Sequence, residues 1–291
     1  MRVFRLKDII TLCCFAIVMG LTIFVAQSVN KAENRTVSTS GELSSIELLS
    51  NSKIGWGIKR SDNHDQPDVG SKNKTIMDKY QGIYMGNKDK KTVYLTFDLG
   101  YEAGYTSKIL EVLKNNDVKA TFFTLGTNVN NYPDLVKREF DEGHYVANHG
   151  YSHKYSTVYA SPEATLNEYN YTEDAIRKAL GNNSYMSKLF RFPGGSNGGY
   201  YDEAKQNSKA LLHENGIMHL DWNSLSSDAA GAKTKEALLQ NVKDTMGEKD
   251  SVVILMHDSS DKILTYEMLS DLISYLKEKG YKFENIYDLL D

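Results

Sequence analysis

Strand-like and helix-like patterns alternate along the chain from Thr92 onward, and this alternation constrains the fold more than any other feature. The strand-like runs fall at 92–97, 120–124, 145–148, 189–191, 218–222 and 252–256, with a short last run near 281–283. Repeated βα units predict a parallel sheet or barrel. Roughly 200 residues are involved, which is few for eight units, so seven units fit better.

Helical patterns fill the gaps between these runs. They cover 107–115, 133–141, a long stretch from 162 towards 180, 233–247 and 263–279. Pro133 and Pro162 suit the first turn of a helix, and Gly181 falls where a helix should stop. We therefore expect one α/β domain over residues 90–291.

The first 28 residues are predicted to be a signal peptide or a membrane anchor. A basic start at Arg2, Arg5 and Lys7 precedes an apolar stretch over 9–26, which is just long enough to span a bilayer. The basic residues should stay cytoplasmic, so the rest of the chain is expected on the outer side of the membrane.

Two further segments precede the domain. Residues 29–53 are rich in Ser, Asn, Glu and Thr and are predicted to be a linker. Residues 54–89 carry Trp56, Tyr80 and Tyr84 among polar residues, and we expect an extension that packs on the catalytic domain.

The exported part of the chain contains no cysteine, because Cys13 and Cys14 both lie in the apolar stretch. Disulfides, a thiol nucleophile and a thiolate metal site are therefore excluded there. Residues 1–28 hold three basic residues and one acid, so without them the net charge changes from −4 to −6. This mildly acidic balance argues against nucleic acid as the partner and is compatible with a neutral or mixed-charge glycan.

A carboxylate follows the first strand-like run. Asp98 lies where the run 92–97 ends, and parallel α/β folds build active sites at the carboxyl ends of their strands. Asp98 could be a general base or a metal ligand. Arg191 also ends a strand-like run, and its guanidinium could keep Asp98 ionised and oriented. A surface salt bridge is the alternative role for Arg191.

Three histidines follow other strand ends. His149 and His153, four residues apart after the run 145–148, can face one metal ion if they share a turn or begin a helix. Surface or capping roles are the alternative, and the sequence is not the His-Glu-x-x-His of zinc peptidases. His257 follows the apolar run 252–256, where catalysis competes with a core or capping role.

Four short motifs in this order resemble those of the NodB-type polysaccharide deacetylases, carbohydrate esterase family 4. They lie at 96–102, 149–153, 191–195 and 255–258. The resemblance implies a distorted (β/α)7 barrel and the hydrolysis of an acetamido group. Such a reaction needs an activated water, a stabilised oxyanion and an acid for the leaving amine.

The resemblance also implies roles for individual residues. Asp98 would be the general base, oriented by Arg191, and His257 would be the general acid. Asp228 has the expected spacing from Trp222 to be the carboxylate that orients His257. The remaining roles are metal binding by His149 and His153, oxyanion stabilisation by the Gly194 N–H, and substrate contact by Tyr101 and Trp222.

Leu99 departs from the family pattern, in which a second, metal-binding Asp follows the first. Leucine cannot ligate a metal, and two histidines alone are a poor site for Zn²⁺. Three interpretations stay open: Asp98, water or substrate completes the shell, Glu102 turns into the site, or the metal is held weakly. We favour a weaker but functional site for a divalent ion, first Zn²⁺, with Co²⁺ or Mn²⁺ as alternatives.

The sugar that the resemblance implies is N-acetylmuramic acid. Trp56-Gly57 and 100–106 look like the N-acetylmuramic acid de-N-acetylases of endospore formers, whose muramic-δ-lactam branch also lacks the second Asp. Segments 149–155 and 190–196 look more like general secreted deacetylases of low-GC Gram-positive bacteria. We expect an exported peptidoglycan de-N-acetylase whose product leads to muramic-δ-lactam in spore cortex, and so to germination competence.

The expected partner is the peptidoglycan glycan strand, after an amidase has removed its stem peptide. One alternative is an N-acetylglucosamine deacetylase that acts on peptidoglycan or chitin oligomers. Another is a non-catalytic glycan-binding barrel that lost its metal through Leu99.

Overall fold

The computed structural model of the 291-residue chain describes residues 71–80, 82–86, 90–100 and 102–287. All of them belong to one compact unit. The predicted leader at 1–28, the linker at 29–53 and Tyr101 lie outside the described residues, as does most of the predicted extension at 54–89. None of the helices in the described part is long and apolar enough to cross a membrane.

The strands of the described residues form one parallel sheet that curves into an incomplete barrel. They are β1 (Gly82–Ile83), β2 (Thr92–Leu99), β3 (Thr121–Thr124), β4 (Tyr145–Asn148), β5 (Leu189–Phe190), β6 (Met218–Leu220), β7 (Ser224–Leu225), β8 (Ser251–Asp258) and β9 (Lys282–Phe283). The order is β1-β6-β5-β4-β3-β2-β8-β7, with β9 also paired to β2. Strands β2 to β8 supply the seven barrel strands, which confirms the predicted distorted (β/α)7 class.

Helices connect and cover these strands. They are α1 (Ser71–Lys79), α2 (Thr106–Asn115), α3 (Gly126–Asn131), α4 (Pro133–Asp141), α5 (Tyr155–Val158), α6 (Pro162–Leu180), α7 (Asp202–Glu214), α8 (Lys235–Met246) and α9 (Ile263–Glu278). The longest, α6, begins where the Ser161 side chain accepts from the Ala164 N–H and ends at Gly181 with φ of 62°. Both ends follow from local chemistry, since a serine caps the start and a left-handed glycine ends the helix.

The two faces of β2 separate the core from the site. Alternate residues of the strand, including Phe97 and Leu99, pack in an outer core with α2, α8 and α9. The residues between them, including Thr96 and Asp98, point to the barrel interior, because successive side chains of a strand alternate in direction. Asp98 and Leu99 are therefore neighbours in sequence that face opposite sides of the sheet.

The strand predicted at 218–222 is present as β6 but is shorter than predicted, and it is followed by β7, which the sequence did not predict. β6 ends at Leu220, and β7 begins at Ser224 and pairs with β8. Arg191 is the physical reason: its Nε donates to Leu220 O at 3.1 Å and its Nη2 donates to Asp221 O at 3.1 Å. Because the carbonyls of Leu220 and Asp221 accept hydrogen bonds from the guanidinium, β6 ends there and the barrel stays open between β6 and β7.

Candidate active site

Asp98 lies at the carboxyl end of β2 and forms a buried ion pair with Arg191. The Arg191 Nη1 atom is 2.8 Å from Asp98 Oδ1 and also donates to Thr96 Oγ1 at 2.8 Å. Arg191 is fully buried, and its guanidinium lies 3.9 Å from the ring centre of Phe123. Because its other nitrogens bind backbone carbonyls, the guanidinium holds Asp98 in one orientation.

The charges around Asp98 keep it ionised. Burial alone would raise the pKa of this carboxyl, but Arg191, His149 and His257 together bring the pKa below its usual value. The second oxygen, Oδ2, lies 3.6 Å from His149 Nε2. Asp98 therefore presents a carboxylate to the same space that His149 faces.

His149 follows β4 and has a fixed tautomer. Its Nδ1 lies 2.8 Å from the Arg191 carbonyl oxygen, which can only accept, so Nδ1 carries the proton and Nε2 keeps its lone pair. Burial lowers the pKa of His149 to about 4, against the opposing charge of Asp98, so the ring is neutral near pH 7. A neutral imidazole whose Nδ1–H is held by a carbonyl is the usual state of a metal ligand.

His153 completes a pair of imidazoles. Its ring centre is 5.2 Å from that of His149, it is exposed, and its backbone has φ of 57°. The turn between the two histidines is held by buried Glu168 on α6, whose carboxylate accepts from the Tyr151 and Ser152 N–H groups at 2.7 Å each. The loop that carries both histidines is thus fixed from behind by one side chain.

Neither Leu99 nor Glu102 supplies a ligand beside these histidines. Leu99 is 4% exposed and lies in the outer core, so no side chain at this position of the strand faces the site. Glu102 does not turn into the site, because it accepts from Gly104 N–H and the Thr106 hydroxyl at the start of α2. Among the described residues, no group of three His, Cys, Asp or Glu is arranged to hold a metal. Two imidazole donors fit a divalent ion whose other ligands are water or substrate.

His257 forms the second charged pair of the site. The register of β2 and β8 places it directly beside Asp98. Its Nδ1 is 2.8 Å from Asp228 Oδ1, and its N–H donates to Asp228 Oδ2 at 2.7 Å. The Thr265 hydroxyl donates to the same Oδ2 at 2.9 Å and fixes the carboxylate.

Asp228 favours the protonated form of His257. Burial would lower the pKa of His257, but the hydrogen bond and charge of Asp228 raise it above the usual value. The pKa of Asp228 is lowered in turn, mainly by His257 and against the effect of burial. With Nδ1 bound to Asp228, Nε2 is the nitrogen that can donate to a leaving group.

Gly194 and Trp222 each lie beside a neighbour of this site, Tyr155 and Arg191 respectively. Gly194 is exposed with φ of 76°, and a Cβ there would lie 2.5 Å from the Tyr155 hydroxyl. A side chain at 194 is therefore excluded both by the backbone conformation and by Tyr155. Trp222 is half-buried, with its ring centre 5.7 Å from the Arg191 guanidinium.

The structure thus brings six of the nine predicted site residues together: Asp98, Arg191, His149, His153, His257 and Asp228. Gly194 lies against Tyr155, Trp222 lies near Arg191, and Tyr101 is not described. The sequence analysis missed Thr96, Glu168 and Thr265. Thr96 carried a usable signal, because residues two apart on a strand share a face. An ionised acceptor and a protonated donor on adjacent strands can take a proton from water and give one to an amine.

Known proteins are similar to this chain in sequence and in fold. The family model for polysaccharide deacetylases matches residues 85–215. PdaA of Bacillus subtilis, a peptidoglycan-N-acetylmuramic acid deacetylase, is 32% identical over 257 residues, which are 87% of this chain and 92% of PdaA. The solved structure of PdaA, a family 4 carbohydrate esterase, has a TM-score of 0.69 at 33% identity and covers 83% of this chain and 98% of that chain.

Other relatives differ in activity. A peptidoglycan-N-acetylglucosamine deacetylase of Bacillus cereus is 36% identical over 233 residues, 77% of each chain. The solved structure of BA3943, a family 4 pseudoenzyme of Bacillus anthracis, has a TM-score of 0.60 at 30% identity and covers 72% of this chain and 69% of that chain. By its sequence and its fold, this chain belongs to the polysaccharide deacetylases of carbohydrate esterase family 4, hydrolases of amide C–N bonds.

Proposed function

We propose that this protein removes the acetyl group from N-acetylmuramic acid in peptidoglycan. The observation that carries de-N-acetylation is the pair of charged couples, Asp98–Arg191 and His257–Asp228, on two adjacent strands. The preference for muramic acid is supported by the match to PdaA, which extends over 87% of this chain, against 77% for the B. cereus glucosamine enzyme.

Each charged couple has one task in the reaction. Asp98, held ionised by Arg191, takes a proton from the attacking water. The Gly194 N–H stabilises the oxyanion of the tetrahedral intermediate. His257, whose protonated form Asp228 favours, gives its proton to the leaving amine.

The histidine pair has a separate task. Members of this family are generally metal-dependent. His149 and His153 would hold a divalent ion, Zn²⁺ or else Co²⁺ or Mn²⁺, which when bound polarises the acetyl carbonyl and acidifies water. Because no third protein ligand is in place among the described residues, we propose that the ion is held weakly.

The chemistry of the product supports spore cortex as the proposed place of action. Deacetylation frees an amine beside the lactyl carboxylate of muramic acid, and the two can close to muramic-δ-lactam, the mark of spore cortex. The carboxylate must be free, so an amidase has to remove the stem peptide first. Residues 1–28 would place the enzyme outside the membrane, as a secreted or anchored protein of a Gram-positive spore former.

An N-acetylglucosamine deacetylase is the second candidate. It is supported by the 36% identity to the B. cereus enzyme, the higher of the two identities given above. A non-catalytic glycan-binding barrel is the third, supported by the similarity to BA3943 and by Leu99 in the core. The two intact charged couples favour an active enzyme over this third candidate.

The deciding experiment uses full-length, Zn²⁺-loaded protein on glycan strands freed of stem peptides, with mass spectrometry of the fragments. We expect loss of acetyl from muramic acid, with or without a further loss of water, and no loss with an Asp98→Asn variant. Loss from glucosamine alone would establish the second candidate. Glycan binding without acetyl loss under Zn²⁺, Co²⁺ and Mn²⁺ would establish the third.

A further inference from the structure

We propose that three tyrosines beside the catalytic site form a saccharide subsite, here named the tyrosine shelf and made of Tyr155, Tyr201 and Tyr200. The shelf would hold the neutral N-acetylhexosamine next to the reacting sugar on the same glycan strand. This inference rests on the proposed function for the identity of that strand.

The shelf begins at the catalytic site. The Tyr155 ring centre is 5.7 Å from that of His153, and the Tyr155 hydroxyl fills the space beside Gly194. From Tyr155 the distance between ring centres is 6.2 Å to Tyr201, and from Tyr201 it is 4.9 Å to Tyr200. The rings thus form a continuous path away from the proposed oxyanion position.

A cavity lies at the far end of this path. It has a volume of about 870 Å³ and is bounded by the chain on both sides of Ser161 and by Gly199, Tyr200 and Tyr201. Binding sites for small ligands have volumes of about 300–1,000 Å³, so a sugar ring fits with room for its substituents. Tyr201 lines this cavity and lies 6.2 Å, between ring centres, from Tyr155 beside His153, so the proposed occupant is part of the same substrate strand.

Tyr200 is held in the open by its backbone. Its side chain is 92% exposed, and it follows Gly198 and Gly199, which have φ of 73° and 79°. The turn is anchored, because Gly198 N–H donates to Asp202 Oδ1 at 2.5 Å and Lys205 Nζ donates to Gly198 O at 3.2 Å. An aromatic ring presented in this way contributes little to folding and is available to a ligand.

The lining of the cavity selects the chemistry of the ligand. Tyrosine combines an apolar ring, which packs on the C–H face of a sugar, with a hydroxyl for hydrogen bonds. Glu203 and Asn207 add polar groups, and among the described residues that line the cavity Glu203 is the one carboxylate or cation. A negative charge there disfavours the lactyl carboxylate of a muramic acid, so the neutral neighbour is the better fit.

The test compares Tyr200→Ala with Tyr171→Ala, a control at another exposed tyrosine, 59% exposed on α6. KM and kcat are measured with full-length protein on peptide-free glycan fragments of increasing length. We expect Tyr200→Ala to raise KM about 3- to 10-fold for long fragments, with kcat and the shortest substrate unaffected. Tyr200→Phe should keep most of the affinity. The shelf would be overturned if Tyr200→Ala had the KM of the unchanged protein at all fragment lengths. It would also be overturned if the variant raised KM by the same factor at every length.

A binding measurement separates this inference from the proposed function. NMR titration of the same fragments into the Asp98→Asn protein, with and without Tyr200→Ala, reports the shelf without any turnover. Loss of affinity on Tyr200→Ala supports the shelf even if acetyl is released from glucosamine or not at all. Unchanged affinity overturns the shelf even if muramic acid is deacetylated as proposed.

Discussion

The groups proposed for acid–base chemistry, here named the acid–base half, and those proposed to bind a metal, the metal half, differ in how firmly the fold holds them. In the acid–base half every charge has a partner: Asp98 binds Arg191 at 2.8 Å, and His257 binds Asp228 at 2.8 Å. In the metal half His149 is buried and oriented, but His153 is exposed and no third protein ligand is in place among the described residues.

The difference shows that the fold specifies the proposed proton-transfer groups more strongly than the proposed metal ligands. Buried charge pairs are costly to break, so the fold itself fixes the groups that we propose for proton transfer. The metal half depends on one loop and on ligands from outside the protein. Loss of the second Asp therefore affects how tightly an ion is held, and leaves the proton-transfer groups unchanged.

Asp98→Asn should break the acid–base half and have the largest effect on turnover. The amide cannot accept a proton from water, so we expect kcat to fall by about 10²–10⁴-fold. Acetate release from peptide-free glycan strands measures it, with Zn²⁺ affinity as a control that should change little. A wild-type rate would remove Asp98 from the mechanism.

Leu99→Asp tests whether the metal half can be completed by restoring the family residue. Because the side chain at this position packs in the outer core, the charge would be buried without a partner. We therefore expect the free energy of unfolding to fall by about 3–5 kcal/mol. The control Leu99→Met should lower the free energy of unfolding by less than about 1.5 kcal/mol. Urea unfolding and Zn²⁺ titration measure both. A stable Leu99→Asp protein with tighter Zn²⁺ binding would show that the strand end can turn inward.

Asp228→Asn should weaken the acid–base half less severely. It leaves His257 in place, so we expect a drop near the lower end of the acid–base range, about 10²-fold. Asp228 raises the pKa of His257, so its neutralisation should lower that pKa. Protonated His257 is then lost at lower pH, and the alkaline limb of the kcat profile should move to lower pH. An unmoved limb would mean that another group sets it.

Glu168→Gln should loosen only the metal half. The amide keeps one acceptor but loses the charge that holds the Tyr151 and Ser152 N–H groups, so we expect Zn²⁺ affinity to fall about 10-fold. Glu163→Gln, at an exposed position on the same helix, is the matched control. Competition with a chromophoric chelator measures both. Equal affinities would show that the loop needs no support from α6.

The sequence predicted those parts of the fold whose signals are local. The helix at 133–141 and the strand at 145–148 were predicted with the observed ends, since a proline begins the one and four buried residues make the other. The bounds of α7 could not be predicted, because its buried residues include Lys205, Gln206 and Lys209. A helix with a polar buried face has no apolar stripe to reveal its period.

The same division applies to the site. Asp98, His149 and His257 were predicted as site residues because each directly follows an apolar strand pattern. Glu168 and Thr265 act through contacts that join distant parts of the chain, since Thr265 and Asp228 are 37 positions apart in the sequence. No spacing in the sequence marks such a contact before the fold is known.

The most direct test of the account is the dependence of acetate release on added Zn²⁺ after the full-length protein has been stripped with a chelator. We expect no activity without metal. Activity should return along a saturation curve whose midpoint lies at a Zn²⁺ concentration well above the protein concentration. The Asp98→Asn protein should show the same Zn²⁺ affinity and no return of activity. Full activity after stripping, or recovery with one equivalent of Zn²⁺, would contradict the account of a complete acid–base half beside a weak metal half.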